Sequence, residues 1–446
     1  MLKFRQGCYA DVRVEDRFDT HIVLRDGNLE ECKASRVKRA FLRVYDGEMW
    51  YYASTSDTED LQRELDGLYA AAQPSADISD DPVVRAFEVN KDVCLHFADC
   101  SVSDVPLEEK TALVRAAAES VRGDEVKMTM VRYIDRHSGY EFYSSKGAEL
   151  KYDFQTCGVS VAFALAEGEN NLTNAYQRAD VRFDALRSVV RAEEIDAFVK
   201  ENIFFMKNAK PVEAGEYPVI LAPMVAGVFA HESFGHKSEA DFMIGDETMK
   251  KEWALGSKVG SDILSIYDSG LDFGSGYVPY DDEGTKAGKT YLIRNGVLAG
   301  RLHSVETAVE LGEQPTGNAR AVSCDFEPIV RMTTTVIDAG DLTKEELFAG
   351  VKHGYFIKDL KHGSGMSTFT IAPTLCYEIA DGKLGDPVRI AVITGNVFET
   401  LSLVDGLSDE KEIFSFVTGG CGKMEQAPLN VGFGGPYVRI SKMRVQ

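Results

Sequence analysis

The segment HESFGHKSEADF, residues 231–242, places two histidines on either side of a glutamate. Histidine nitrogens bind zinc, and a glutamate beside the first histidine is the general base in the HExxH helix of zinc peptidases. His231 and His236 are, however, one residue further apart than the histidines of HExxH. In an ideal α-helix, residues five apart differ by about 140° in direction, so the two rings would point away from each other.

Gly235 offers a way to bring the rings together. Glycine allows a backbone departure at low cost, and a π-bulge would put His231 and His236 on one face of the helix. That helix is predicted to begin at Pro223, after the short strand YPVILAP. Glu232 would then occupy the general-base position. The alternative is that both histidines form hydrogen bonds in or near the core while Glu232 is solvated, and the spacing alone leaves both interpretations open.

A zinc site also needs a third protein ligand and leaves a fourth position for water. Cys421, in TGGCGKMEQ, is the preferred candidate by chemistry, because its flanking glycines let the backbone approach a buried ion closely. The competing interpretation is a small residue packed in a tight turn. His303, Glu239 and Asp241 are the alternatives, either as ligands or as partners of the ligands.

A second group of metal-binding residue types lies in CLHFADC. On an alternating strand, Cys94, His96 and Cys100 would share one face. A partly buried strand face explains the same pattern, and we favour that interpretation.

Composition restricts the classes of function. The 446 residues include 49 basic and 71 acidic residues, and a net charge of -22 disfavours binding to nucleic acid or to anionic membranes. The N-terminal segment has no apolar signal region, and no run approaches the roughly 20 apolar residues of a membrane span. Eight cysteines without a CxxC pair are typical of reduced, buried thiols. We therefore expect a cytoplasmic protein.

The chain is predicted to be α+β, with two domains. Residues 1–208 combine helices with an antiparallel sheet, and residues 209–446 form a mostly antiparallel β domain that carries the metal-site helix. Three dipeptides indicate tight hairpins: Asp26-Gly27, Asn295-Gly296 and Asp381-Gly382. Helices are predicted from about Asp57 or Thr58, from 107 to 122, and through DALRSVVRAEEIDAFVKENIFF.

Beyond the HExxxH segment, the chain resembles the TldD/PmbA metallopeptidases, also called modulators of DNA gyrase. The resemblance extends over nearly the whole chain and includes ADVRVED, YYASTSDTEDL, YDDEGTKAGKTYLIRNGVLAGRLHS, EQPTGNAR, RMTTTVIDAGD and GGCGKMEQAPLNVGFGGPYVRI, in the order of that family. It implies zinc held by His231, His236 and Cys421, with Glu232 as the catalytic acid/base. It also implies a homodimer, or a heterodimer with a relative that lacks the motif, acting on unfolded peptides.

Two positions depart from the family pattern. Glu425 stands where CGKxGQ has a glycine, and Ala240 replaces the glycine of EGD. Neither changes a proposed ligand, but a carboxylate near Cys421 could tune the metal or alter what enters the site. The DDEGT and PTGNAR loops are expected to line the cleft or to brace the helix.

The sequence therefore predicts zinc-dependent peptide hydrolysis, with a metal-activated water and Glu232 as the general base. Open edge strands of the β-rich half could hold extended peptides by main-chain bonds, with weak sequence selectivity. A non-catalytic scaffold that presents peptides to a partner subunit is the alternative. A nucleic-acid-associated regulator, which the older family name suggests, is disfavoured by the acidic charge.

Overall fold

The computed structural model describes residues 2–446 and has an α+β fold, as predicted. The N-terminal sheet has the strand order β3-β2-β1-β5-β6-β4, and β7 also pairs with β6. Its strands are β1 (Tyr9–Arg25), β2 (Asn28–Tyr45), β3 (Trp50–Thr55), β4 (Lys91–Cys94), β5 (Val126–Ser144), β6 (Glu149–Glu167) and β7 (Asn170–Asp180).

The C-terminal sheet contains 14 strands, with the order β12-β11-β10-β15-β25-β9-β16-β19-β20-β8. Four further strands branch from it: β17 pairs with β18, β18 with β21, and both β21 and β22 with β25. The strands in this half, including the separate hairpins β13–β14 and β23–β24, are β8 (Lys210–Pro211), β9 (Gly215–Leu221), β10 (Ile266–Ser269), β11 (Lys289–Arg294), β12 (Val297–Leu298), β13 (Ala319–Arg320), β14 (Ile329–Val330), β15 (Thr334–Ile337), β16 (His353–Ile357), β17 (Leu360–Gly365), β18 (Thr368–Pro373), β19 (Cys376–Ala380), β20 (Lys383–Arg389), β21 (Ile393–Asn396), β22 (Val404–Ser415), β23 (Cys421–Lys423), β24 (Gln426–Leu429) and β25 (Gly432–Val445).

Seven of the ten α-helices have eight residues or fewer, and all of them occur between strands along the chain. They are α1 (Leu61–Ala71), α2 (Pro82–Ala86), α3 (Leu107–Glu119), α4 (Phe183–Val189), α5 (Ala192–Asn208), α6 (Pro223–Ala230), α7 (Glu247–Glu252), α8 (Val305–Leu311), α9 (Lys344–Ala349) and α10 (Val397–Ser402). Within residues 2–446, none of these helices combines the length and the apolar character that a membrane span requires.

The three predicted hairpins are confirmed. They join β1 to β2, β11 to β12 and β19 to β20, and both residues of each turn have positive φ, as in Asp26 (46°) and Gly27 (81°). The helix limits were less accurate. The side chain that caps α1 belongs to Asp60, not to Asp57 or Thr58, and α3 ends at Glu119, short of residue 122. The third predicted helix is broken into α4 and α5.

The DDEGT loop lies between β10 and β11, and its side chains form ion pairs with the N-terminal sheet. Arg43 of β2 forms a buried ion pair with Glu283 at 3.0 Å, and Arg13 of β1 pairs with the partly buried Asp282 at 2.9 Å. Asp281 accepts hydrogen bonds from three backbone N–H groups, which fixes the turn. This loop therefore holds the N-terminal sheet against the C-terminal half, and within residues 2–446 none of its hydrogen bonds or ion pairs is with the HExxxH segment. The predicted division at residue 208 remains a proposal.

Candidate metal centre

Helix α6 carries the HExxxH segment into the C-terminal core. Pro223 is its first residue, where the missing N–H costs nothing, and most of its residues are buried. The helix lies directly on β25, because a Cβ at Gly227 would be 2.6 Å from the backbone nitrogen of Gly434. This close approach places the end of α6, and the histidines that follow, at the middle of the C-terminal sheet.

The predicted π-turn is present. Residues His231–Gly235 form a single π-helical turn, and the N–H of His236 donates to the carbonyl of His231, five residues earlier. The hydroxyls of Ser233 and Ser238 donate to the carbonyls four residues before them. These side chains supply hydrogen-bond donors to backbone carbonyls along the distorted helix. The two imidazole centroids are 5.0 Å apart. The extra residue in HExxxH is therefore accommodated by the backbone, and both rings lie on one face.

The reason for the glycine differs from the one inferred from sequence. Gly235 has ordinary right-handed helical angles, φ -55° and ψ -53°, so its freedom of backbone conformation is not used. A Cβ at this position would instead lie 2.1 Å from the sulfur of Met332, which is fully buried. Gly235 leaves room for Met332, which packs against the turn, and the turn itself does not need an unusual φ.

We expect Gly235→Ala to lower the free energy of unfolding by about 1–3 kcal/mol, because the added methyl overpacks a buried contact. Met332→Ala in the same chain should relieve the clash, so the double variant should lose less stability than the two single losses combined. Denaturant unfolding measures all three. Gly67→Ala, at an exposed position of α1 with free space around it, is the control and should be neutral or stabilising. Wild-type stability of Gly235→Ala would contradict the packing argument.

The structure brings His231, His236 and Cys421 together. One donor atom from each lies within 4.8 Å of the other two, and Sγ of Cys421 is 3.4 Å from Nε2 of His236, although 185 residues separate them in sequence. His231 and Cys421 are buried, with exposed fractions of 4% and 5%. Across residues 2–446, no other group of three His, Cys, Asp or Glu side chains shows such a convergence.

Electrostatics favour a thiolate at Cys421. Burial opposes ionisation, but hydrogen bonds with His231 and His236 outweigh it and lower the pKa of the Cys421 thiol to about 5. Burial likewise opposes the charge on His236, but its bonds to Cys421 and Glu239 raise its pKa to about 10. Near neutral pH, Cys421 is therefore in the form that binds metals, paired with a cationic His236 that must release its proton to become a ligand.

The donor set fits zinc. Tetrahedral bonds of about 2.0 Å to nitrogen and 2.3 Å to sulfur put those two atoms about 3.5 Å apart, close to the 3.4 Å found here. Nδ1 of His231 is buried and has no hydrogen-bond partner among residues 2–446. Nδ1 of His236 faces Glu239 at 3.2 Å, which leaves Nε2 free to bind an ion. Two imidazoles and one thiolate leave a fourth position open, as catalytic zinc sites require.

Glu232 is half-buried beside this cluster. Burial raises the pKa of its carboxyl, and the neighbouring histidines partly oppose that shift. Strand β17 crosses over it through two glycines: a Cβ at Gly363 would be 3.0 Å from Cγ of Glu232, and one at Gly365 would be 2.6 Å from its carbonyl oxygen. Only glycines allow this strand to approach the turn so closely.

Cys421 begins β23, and a buried arginine fixes its backbone. Arg331, fully buried, donates to the carbonyl of Cys421 at 2.8 Å and to that of Gln426 at 3.1 Å, so it holds both strands of the β23–β24 hairpin. Glu425, the departure from the family pattern, is exposed at the turn of this hairpin.

The alternative ligands have other partners. Both ring nitrogens of His303 are used, by Thr307 at 3.1 Å and by Glu313 at 3.1 Å. Glu239 contacts Nδ1 of His236, on the side of the ring away from Cys421, and Asp241 forms an ion pair with Lys423 at 2.7 Å. None of the three belongs to the convergent group in the described chain.

The CLHFADC segment is only partly a strand. β4 ends at Cys94, so the expectation that Cys94, His96 and Cys100 share a strand face was wrong. Cys94 does contact Nε2 of His96 at 3.0 Å. The chain turns after Leu95 because backbone N–H groups of His96 and Phe97 donate to the buried Asp153. The three residues do not form a three-ligand group.

The sequence reasoning missed the residues that fix the site from outside. Lys423, Arg331, Met332 and the two glycines of β17 were not identified. Lys423 lies two residues after Cys421 and would share its face on a strand, which is the one local signal that was available.

PTGNAR was expected to line the cleft or brace the helix. Arg320 of this loop donates to the carbonyl of Met332 at 2.6 Å, which supports the residue packed on Gly235.

Three domain families match the sequence. They are PmbA/TldA metallopeptidase domain 1 at residues 10–75, the central domain at residues 100–203, and the C-terminal domain at residues 214–446. The last of these contains all the residues of the candidate site.

Relatives and solved structures agree with these matches. A metalloprotease from Methanothermobacter thermautotrophicus is 30% identical, and the alignment covers 98% of this chain and 95% of the relative. A zinc metalloprotease TldD homolog from Saccharolobus solfataricus is 31% identical, with 72% and 71% covered. The crystal structure of TldE from Thermococcus kodakarensis superposes with a TM-score of 0.77 at 15% identity, covering 98% of this chain and 96% of that one, so it shares the fold.

Proposed function

Because the chain belongs to the PmbA/TldD metallopeptidase family, we propose that it is a zinc-dependent peptidase that hydrolyses unfolded peptides. The observation that carries the proposal is the convergence of His231, His236 and Cys421 beside the half-buried Glu232. The name of the Saccharolobus solfataricus relative supports zinc as the metal. A thiolate ligand also favours zinc over harder divalent ions.

In this proposal each residue has a defined role. Zinc, when bound, supplies a Lewis acid that acidifies water and polarises the scissile carbonyl. His231, His236 and Cys421 hold it, and Glu239 orients the His236 ring through Nδ1. Glu232 takes a proton from the attacking water on its carboxylate and delivers that proton to the leaving amine.

Strand β17 is the proposed peptide-binding edge. Within residues 2–446 it pairs only with β18, so one edge of the strand has free backbone groups, and its glycines contact Glu232. An extended peptide added to such an edge is held by main-chain hydrogen bonds, which tolerate many sequences. Unfolded chains present extended segments far more often than folded proteins do, so the proposed substrate is an unfolded chain.

Removal of the metal tests the proposal directly. Dialysis against a chelator should reduce the cleavage of a reduced and alkylated polypeptide to the background rate, and one equivalent of zinc should restore it. The same polypeptide in its native, folded form is the matched substrate control and should be cut far more slowly. Full cleavage by zinc-free protein would contradict the assignment.

The assembly is part of the proposal. We infer a dimer, either of two copies or of this chain with a relative that lacks HExxxH. Nucleic acid is not among the proposed partners, because the net charge of -22 argues against direct binding. Zinc-loaded protein that leaves unfolded polypeptides uncut, alone and with such a relative, would instead favour the scaffold function.

A further inference from the structure

Lys423 lies buried between the two segments that carry the metal-binding residues. It is two residues after Cys421 on β23, so the two side chains share one face of that strand. Its side chain is 3% exposed, and its ammonium is 2.7 Å from both carboxylate oxygens of Asp241 and 2.8 Å from the carbonyl of Val330. Asp241 follows His236 by five residues, so this ion pair links the hairpin to the histidine segment.

A second carboxylate extends the link to a histidine. Oε2 of Glu239 is 3.2 Å from the Lys423 ammonium and 3.2 Å from Nδ1 of His236. Glu239 has no exposed surface, and its other oxygen, Oε1, has no hydrogen-bond partner in the described chain. One carboxylate oxygen thus joins the lysine of the Cys421 strand to the ring of His236.

The arrangement has a strong energetic preference for one geometry. A buried ammonium or carboxylate is costly when it is unpaired, because neither water nor another group replaces its hydration. Lys423 can satisfy Glu239 and Asp241 together only when β23 lies against the 236–241 segment in the observed register. Any displacement of the hairpin would separate Cys421 from the histidines and leave these charges without partners.

We propose that Lys423 is a positioning residue that couples the two halves of the metal site, holding Cys421 at binding distance from the histidines and fixing the His236 ring through Glu239. This inference rests on the proposed function, since it concerns the same site. It makes the local carboxylate–lysine cluster, rather than the metal alone, the element that assembles the ligands.

The test is zinc affinity, measured by chelator competition, together with the thiolate-to-metal absorption band of the cobalt-substituted protein. Lys423→Met should weaken zinc binding by about 10–100-fold, the range for the loss of a residue that orients ligands. It should also diminish the cobalt–thiolate band at saturating cobalt, because Cys421 is no longer held in place. If Lys423 had a purely structural role, its replacement would lower the stability of the protein but leave that band intact.

Lys237→Met is the matched control. Lys237 is equally buried and adjacent to His236, but its ammonium points to Glu252, 4.0 Å away, and to the rings of Trp253 and Phe398. Its replacement should keep zinc affinity and the thiolate band. Asp241→Asn keeps the side-chain volume at a position that is 24% exposed, so it folds more readily than Lys423→Met, and it should lower affinity in the same direction.

Wild-type affinity and an intact band in both Lys423→Met and Asp241→Asn would overturn the coupling role while leaving the proposed peptidase intact. If the wild-type chain gives no cobalt–thiolate band, the metal site itself is wrong and both proposals fail together. A loss of affinity in Lys237→Met equal to that in Lys423→Met would also overturn the role, because any buried lysine in this region would then have the same effect.

Discussion

Replacing Glu232 with glutamine is expected to lower kcat for peptide hydrolysis by about 10²–10⁴-fold, the usual contribution of a positioned general acid/base. Glutamine keeps the size of the side chain but can neither accept the proton of the attacking water nor deliver one to the leaving amine. Glu232 is not a member of the convergent ligand group, so the bound zinc should remain at the wild-type level. The variant would therefore separate chemistry from metal binding.

Two measurements check this expectation: zinc content of the purified variant, and the initial rate of cleavage of an unfolded polypeptide. Glu247→Gln, whose side chain is 82% exposed on α7, is the control for the substitution itself and should cleave at the wild-type rate. If Glu232→Gln retained more than about a tenth of the activity, the general-base role would be wrong. If it lost its zinc, Glu232 would contribute to the metal site rather than to proton transfer.

Local sequence pattern was sufficient where a local rule governs the structure. The Asp-Gly and Asn-Gly turns require positive φ, and the three hairpins follow from that requirement. The spacing of His231 and His236 made a π-turn the condition for a shared metal site, because two rings five residues apart share a face only when the helix is widened. In each case, the residues that determine the geometry are neighbours in the chain.

Local sequence pattern was insufficient where residues far apart in the chain determine the geometry. Gly235 was interpreted as a source of backbone freedom, whereas its role depends on Met332, which reaches the turn from another part of the chain. The bonds of Lys423 to Asp241 span 182 residues, and the support of Cys421 by Arg331 spans 90. No periodicity or composition contains such contacts, because they arise only when the strands of the C-terminal sheet are packed.

The CLHFADC segment also shows that a distant residue can override a local sequence pattern. The expected strand face of Cys94, His96 and Cys100 does not form, because the distant Asp153 accepts the N–H groups of the residues that follow Cys94. A buried carboxylate that accepts backbone N–H groups can end a strand that the alternation of residue types would continue.

Removal of one ligand is expected to have the largest effect on the protein. Cys421→Ala and His236→Ala should each reduce bound zinc to below about a tenth of the wild-type content and abolish cleavage, because two remaining ligands do not form a catalytic zinc site. Metal analysis of each purified variant, beside the cleavage assay, measures both effects. Cys376→Ala is the matched control, since Cys376 is a buried free thiol outside the group, and its zinc content should be unchanged. Wild-type zinc in both ligand variants would end the assignment, because the convergence of these side chains would then have another cause.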